Sequence, residues 1–148
     1  MTFRTVTEYL LWDHDRLDAT FAQVCVLAGR GEMPPAAVLF DRFHNLMMRH
    51  IRIEEAILMP VFEGKTGLTS GPTEASRREH KGVIEAIIAM KSALKNGSSS
   101  RFLEARRKFL SLLPSHHAKE ETLMYPMIDQ ALTDEERLDL VTRLEEAI

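Results

Sequence analysis

HIRIEEAILMP, residues 50 to 60, is the stretch on which the reading of this chain turns, because residues 116 to 126 repeat it as HHAKEETLMYP. Each copy places a His four residues before the first of two adjacent Glu, then an apolar stretch, then a Pro. A shift of 66 residues superposes His50 on His116, Glu54 on Glu120, Glu55 on Glu121 and Pro60 on Pro126. The same shift carries His14 onto His80, and the acid before each, Asp13 onto Glu79. From first to second His the spacing is 36 residues in both halves, so the repeated unit is a helix pair.

Positions i and i+4 share one helix face, roughly 5.4 Å apart along the axis. His50 and Glu54 therefore point at one place, as do His116 and Glu120. The stripe that carries them is otherwise apolar, and a buried carboxylate is costly unless it is paired or bound to a metal. A cation between the helices satisfies both groups at once. Imidazole with carboxylate suits iron, manganese or zinc, whereas an all-oxygen set suits calcium or magnesium. A lone His-x3-Glu is usually only an intrahelical pair; two copies at a fixed offset, with two further His at the same offset, favour the metal. His117 and Glu121 share the spacing one residue on, and the repeat favours His116 and Glu120 over them. Asp18 stands four residues after His14 and is read as solvated or close to the site, and His44 as exposed. Asp13 and Glu79 are expected at the surface or along an access path, and Glu55 and Glu121 outward or behind the ligands. Met47, Met48, Met124 and Met127 read as core filler, and Cys25 as a small buried hydrophobe.

Around these positions the chain reads as helices throughout. Thr5 to Glu8 has capping-box spacing, and Leu10, His14, Leu17, Phe21, Val24 and Ala28 recur at helical intervals up to Gly29 and Gly31. Pro34 and Pro35 suit the first turn of a second helix, whose inward stripe is expected at Leu39, Phe43, Leu46, His50, Ile53, Glu54 and Ile57 and which Pro60 ends or kinks. Gly64, Gly67, Gly71 and Pro72 mark a loop, and a third helix from about Glu74 to Asn96 carries His80, Val83, Ile84, Ile87, Met90 and Leu94. The fourth carries Phe102, Ala105, Phe109, Leu113, His116, Glu120, Leu123 and Met127, with a bend expected at Pro114. A capping box from Thr133 to Glu136 opens a short fifth helix through Leu138, Val141 and Leu144. The expected fold is all-α: an antiparallel up-down four-helix bundle over about residues 5–130, with a C-terminal helix over about 133–147, in one domain spanning 1–148.

Composition excludes several classes of function. With 45% hydrophobic and 28% charged residues the chain is an ordinary globular protein. A formal net charge of −3 offers nothing to nucleic acid or to an anionic membrane. One Cys excludes an internal disulfide framework and fits a reducing compartment. The N-terminal MTFRTVTEYLLW lacks the long apolar core of a secretion signal, so a cytoplasmic location is expected.

With these residues in place, the chain resembles the hemerythrin-like, or HHE cation-binding, family over about Thr5 to Gln130. The matching pieces are DHDRL around His14, HIRIEEAILMP, REHKGVIEAI around His80, and HHAKEETLMYP. The resemblance implies two non-haem iron ions, oxo- or hydroxo-bridged, with manganese or zinc as possible substitutes. Its ligands here are His14, His50, His80 and His116, with Glu54 and Glu120 bridging. Oxygen-carrying members have a second His four after the one on the third helix, where this chain has Ile84, and an Asp five after the last His, where it has Glu121. The expected site is therefore symmetric, with four His and two Glu, and its open positions point to dioxygen, nitric oxide or peroxide in iron, redox or nitrosative stress handling. A di-iron oxidoreductase, a metal-responsive sensor or interaction module, and an oxygen-binding or iron-storage protein are the other readings of the same resemblance.

Overall fold

A computed structural model describes residues 2–147; the expected domain ends, Met1 and Ile148, lie outside the described residues. Five helices account for nearly all of it, with no strand among the described residues. Helix α1 is Val6–Gly29, α2 runs over 33–66, α3 is Pro72–Lys95, α4 runs over 99–131, and α5 is Asp134–Glu146. Thr5 caps α1 by accepting from the Glu8 N–H, and the Glu8 carboxylate accepts from Arg4, one residue earlier than a full capping box places it. At Thr133 both halves of the box are present. Gly31, Gly67 and Gly97 take positive φ after α1, α2 and α3, the backbone reversal that glycine permits without a Cβ penalty. Helix α4 continues through Pro114.

Pro60, expected to end or kink its helix, does not end it, and neither does Pro126. Each follows a single wide π turn, Glu54–Leu58 in α2 and Glu120–Met124 in α4, after which the helix resumes as Met59–Thr66 and Tyr125–Ala131. The wide turn comes just where a proline ring crowds the carbonyl four residues back in a regular helix. It also inserts one residue into the turn and moves every later side chain on by one. Leu58 is buried instead of Ile57, and Met124, Tyr125 and Ile128 are buried instead of Leu123 and Met127. Before the wide turn, α2 turns inward on Phe40 and Met47 beside Phe43 and His50, with Leu39 and Leu46 only half-buried. In α5 Leu140 is buried beside Val141 and Leu144, and Leu138 is exposed.

The core falls into two apolar clusters with a polar layer between them. One gathers Phe21, Phe40, Phe43, Met47, Phe102 and Phe109; the other Leu10, Ile53, Leu58, Phe62, Tyr125 and Leu144. Phe21, Phe43 and Phe109 meet pairwise at centroid distances of 4.9 to 5.9 Å. Each such ring contributes about 1.5–3 kcal/mol when fully buried. Arg49 on α2 donates to the carbonyls of Leu144, Glu145 and Ala147, satisfying the otherwise unpaired end of α5 and closing the second cluster. Met47 and Met124 are core residues, while Met48, Met127 and Cys25 are half-buried.

Candidate metal centre

The polar layer is built by the two repeated helix pairs. His14 on α1 and His50 on α2 have their Nε2 atoms 3.2 Å apart, and the His80 and His116 rings on α3 and α4 lie 4.8 Å apart. Glu54 and Glu120 stand at the first residue of each wide turn, one helical turn beyond His50 and His116. All six expected residues are at most 2% exposed, and the structure brings them together. Glu54 Oε1 lies 3.3 Å from His50 Nε2 and 3.2 Å from His80 Nε2. Glu120 faces both ways: Oε1 is 3.3 Å from His14 Nε2, and Oε2 is 3.2 Å from His116 Nε2.

Four carboxylates lie behind the four imidazoles. The Nδ1 of His14 bonds Glu121 at 2.6 Å, that of His50 bonds Asp13 at 2.8 Å, that of His80 bonds Glu55 at 2.6 Å, and that of His116 bonds Glu79 at 2.9 Å. These bonds obey the same shift of 66 residues. Asp13 and Glu79 each serve the His of the neighbouring helix in their own half, while Glu55 and Glu121 each reach into the other half. A carboxylate on Nδ1 fixes the tautomer and leaves the Nε2 lone pair pointing inward, the arrangement found behind metal-ligating His. The surface position expected for Asp13 is therefore wrong: its side chain is fully buried, because it orients His50 while Arg16 takes its other oxygen at 2.5 Å. Glu79 keeps 29% exposure and also pairs with Lys119.

The electrostatics follow from this packing. Burial opposes a charge on His50, yet Glu54 and Asp13 outweigh it and hold the imidazole well above its ordinary range. Burial likewise opposes a charge on His116, and Glu120 and Glu79 raise it to about 9. Glu54 is held well below the usual carboxylate range, burial being overcome chiefly by His50. A proton on these imidazoles and a metal ion compete for the same nitrogen atoms.

Three residues in the layer were not assigned to it by sequence reasoning. Tyr125 is buried and its hydroxyl donates to Glu54 Oε2 at 2.5 Å, with Glu120 Oε1 and His14 Nε2 each at 3.1 Å. Burial, then the Glu120 and Glu54 charges, push its phenol well above the ordinary value. The wide turn puts Tyr125 on this face, so regular helical spacing could not find it. Ser76 sits 3.4 Å from Glu120 Oε2. His117, weighed only as a substitute for His116, is buried as well and stacks on His14 at 3.5 Å and 14°. Burial and then the neighbouring His charges push its imidazole far down. Under the shift of 66 these three fall on Met59, Leu10 and Ile51, so the layer is less symmetric than the repeat. Asp18 is exposed, and half-buried His44 contacts Lys91 away from the layer.

The donors fit a metal on the structure's own terms. Glu54 Oε1 and the Nε2 atoms of His80, His116 and His117 are buried without a hydrogen-bond partner, an arrangement that costs about 1–3 kcal/mol per group unless something else satisfies them. Among the described residues two groups of donors converge, each with all its ligand atoms within 4.8 Å of one another. One is His14, His50, His117 and Glu120; the other is Glu54, His80, His116 and Glu120.

A family model described as the hemerythrin HHE cation binding domain matches residues 5–128. The chain belongs to that family, and the match covers both repeats and every residue of the polar layer. No curated protein and no solved structure matches it significantly. No helix among the described residues is long and apolar enough to cross a membrane.

Proposed function

We propose that this chain is a non-haem di-iron protein that meets dioxygen, nitric oxide or peroxide in iron, redox or nitrosative stress handling. The observation that carries the reading is the position of Glu120, whose two oxygens face His pairs from opposite halves, with Glu54 touching one His of each pair. In this reading His14, His50, His80 and His116 would hold the two ions together with Glu54 and Glu120. Iron bound there would supply redox change and positions open to a small ligand, and the mixed imidazole–carboxylate set suits it, with manganese or zinc as substitutes.

The protein's own groups orient, exclude water and hold a proton. The four carboxylates on Nδ1 keep the ligand nitrogens aimed inward. The two apolar clusters keep bulk water from both sides of the layer. Tyr125 keeps a proton between Glu54 and Glu120. A cleft of ≈ 290 Å³ lined by Pro72, Ala75, Ser76, Leu123 and Met124 reaches His116 and Glu120, and its apolar lining favours a small uncharged molecule.

The reading includes one domain of antiparallel up-down helices. Pairs His14–His50 and Phe21–Phe43, like Ser76–Glu120 and His80–His116, advance along one helix while receding along the next, which supports that topology. A cytoplasmic setting rests on the unpaired Cys25. No nucleic-acid or membrane partner belongs to it.

Anaerobic reconstitution with ferrous iron, followed by metal analysis, is the test. Two irons per chain are expected, with near-ultraviolet absorption appearing on oxidation and both lost in Glu120→Ala. An iron content far below two in the wild type overturns the reading.

A further inference from the structure

Beyond the polar layer, toward Gly29 and Ser99, one seam of the bundle is open. Helix α1 packs against the end of α4, Tyr125–Ala131, but its backbone stands off from the earlier part, Ser99–Lys119. Side chains bridge the gap, among them Phe21 and Phe109 at 4.9 Å. Between the two helices this leaves a groove of ≈ 470 Å³ floored by Phe21, Phe43, Phe109 and Leu113. Its rims are apolar as well. Leu110 on α4 is 46% exposed, Ala22 on α1 and Pro114 on α4 are exposed, and Val26 and Leu103 continue the two rims further along. A single exposed leucine is ordinary on a folded surface, whereas a continuous apolar groove marks a contact.

The two ends of the groove differ in charge. At one end Arg106 lies beside the Cys25 thiol and pairs with no carboxylate among the described residues. At the other, Asp18 and Glu121 stand together. An isologous contact needs a surface complementary to itself under a two-fold axis, and a groove with a cation at one end and acids at the other meets that condition. We infer that this groove is the contact between two antiparallel copies of the chain. Leu110 of each copy enters the groove of the other, and Arg106 of each meets Asp18 and Glu121 of the other. A small apolar ligand would fill the floor but leave the exposed rims and both charged ends uncovered. From Leu103 to Glu121 the groove is about 27 Å long, and across two helices of about 10 Å each a second copy covers about 500 Å² on each side. That total lies near the lower limit of about 1,000 Å² for a specific interface, so the pair forms at micromolar and not at nanomolar concentrations. His117, which stacks on His14, lines the acidic end, so the second copy also shields that side of the polar layer from water.

Sedimentation of the full chain from micromolar to millimolar concentration is the test, and a dimer is expected in the wild type. Arg106→Glu and Asp18→Arg should each weaken it roughly tenfold or more, because like charges then face each other twice. The two changes together should restore it, and Leu110→Glu should leave a monomer. Circular dichroism checks that each variant keeps its helicity. If a variant does not fold, the wild-type Cys25 thiol gives a second measure: its reaction with a thiol reagent should slow as the chain is concentrated, and a constant rate overturns the inference. A wild type that stays monomeric overturns it too. So does a dimer that every variant leaves unchanged, or a pair of charge changes no better together than apart. A monomer that binds the apolar dye anilinonaphthalene sulfonate, and loses it in Leu110→Glu, assigns the groove to a small ligand and overturns the pairing. None of these measurements depends on bound metal, so their failure leaves the dinuclear reading standing.

Discussion

Asp13 and His50 meet at 2.8 Å through Oδ2 and Nδ1, both out of solvent, with the second Asp13 oxygen held by Arg16. The Glu79–His116 bond at 2.9 Å is the same contact in the other half, but Glu79 is 29% exposed. Removing a carboxylate behind a metal-ligating His typically weakens metal binding about 10–100-fold. Asp13→Asn is expected to reach the upper part of that range, because no water replaces it and Arg16 is left without its partner. Glu79→Gln should cost less, since solvent can reach its place. Competition with a chelator measures both. Equal losses in the two variants would show that burial behind the ligand does not set its contribution.

Tyr125 lies between Glu54 and Glu120, and its hydroxyl is the hydrogen-bond donor to Glu54 Oε2. Tyr125→Phe leaves that oxygen buried and unpaired, at a cost of about 1–3 kcal/mol in the metal-free protein. A bound ion offsets part of this loss by taking carboxylate charge. The gap in melting temperature between metal-free and metal-loaded protein should therefore widen in the variant. Identical gaps in variant and wild type would remove Tyr125 from the electrostatics of the layer.

That His14, His50, Glu54, His80, His116 and Glu120 lie together in one buried layer was legible because His50 and Glu54, like His116 and Glu120, stand one regular turn apart and because the repeat adds His14 and His80. What regular spacing could not show begins at Glu54 and Glu120. The π turn that starts at each advances the helix by a residue, so Ile57, Leu123 and Met127 were placed where Leu58, Met124 and Ile128 belong. It also hid Tyr125, which an unbroken α-helix turns away from Glu120. The Pro six residues beyond each proposed Glu is the available signal, since a proline inside a continuing helix calls for a widened turn before it. The long reach of Glu55 to His80 and of Glu121 to His14 was invisible for another reason: it crosses between halves, and only packing of the helices brings those residues together.

Glu63 joins the end of α2 to the start of α3, accepting from the Arg77 guanidinium at 2.8 and 3.1 Å and from Thr73 at 2.6 Å. Arg77 and Thr73 hold its carboxyl below the ordinary 4.5 against a smaller opposing effect of burial. A depressed carboxylate stabilises the fold above its unfolded pKa, and the contribution is lost as pH falls through the lower folded value. Glu63→Gln should therefore cost at most about 1 kcal/mol at neutral pH, the pair being close to solvent. Below pH 4.5 its stability curve should converge on that of the wild type. Urea titrations across the acid range measure this, and a constant difference at every pH would assign the loss to packing instead of charge.

Asp129, near the end of α4, closes the N-terminus of α1 from outside it. Its carboxylate accepts from the Val6 N–H at 2.9 Å, the Thr7 N–H at 3.0 Å and the Thr7 hydroxyl at 2.6 Å. Thr5 caps the same end through the Glu8 N–H, but at the surface. Two free N–H groups at a helix start, together with the favourable interaction of a carboxylate with the positive end of the helix dipole, are worth about 0.5–2 kcal/mol. Asp129→Ala should therefore fall near the upper end of that range, and Thr5→Ala, where water can substitute, near the lower. Because the proposed ligand on α1 is His14, two turns further in, neither change should alter the number of metal ions bound by the folded protein. Chemical denaturation and metal analysis on the same samples separate the two effects. Loss of a metal ion in Asp129→Ala at full helicity would mean that this cap also positions His14.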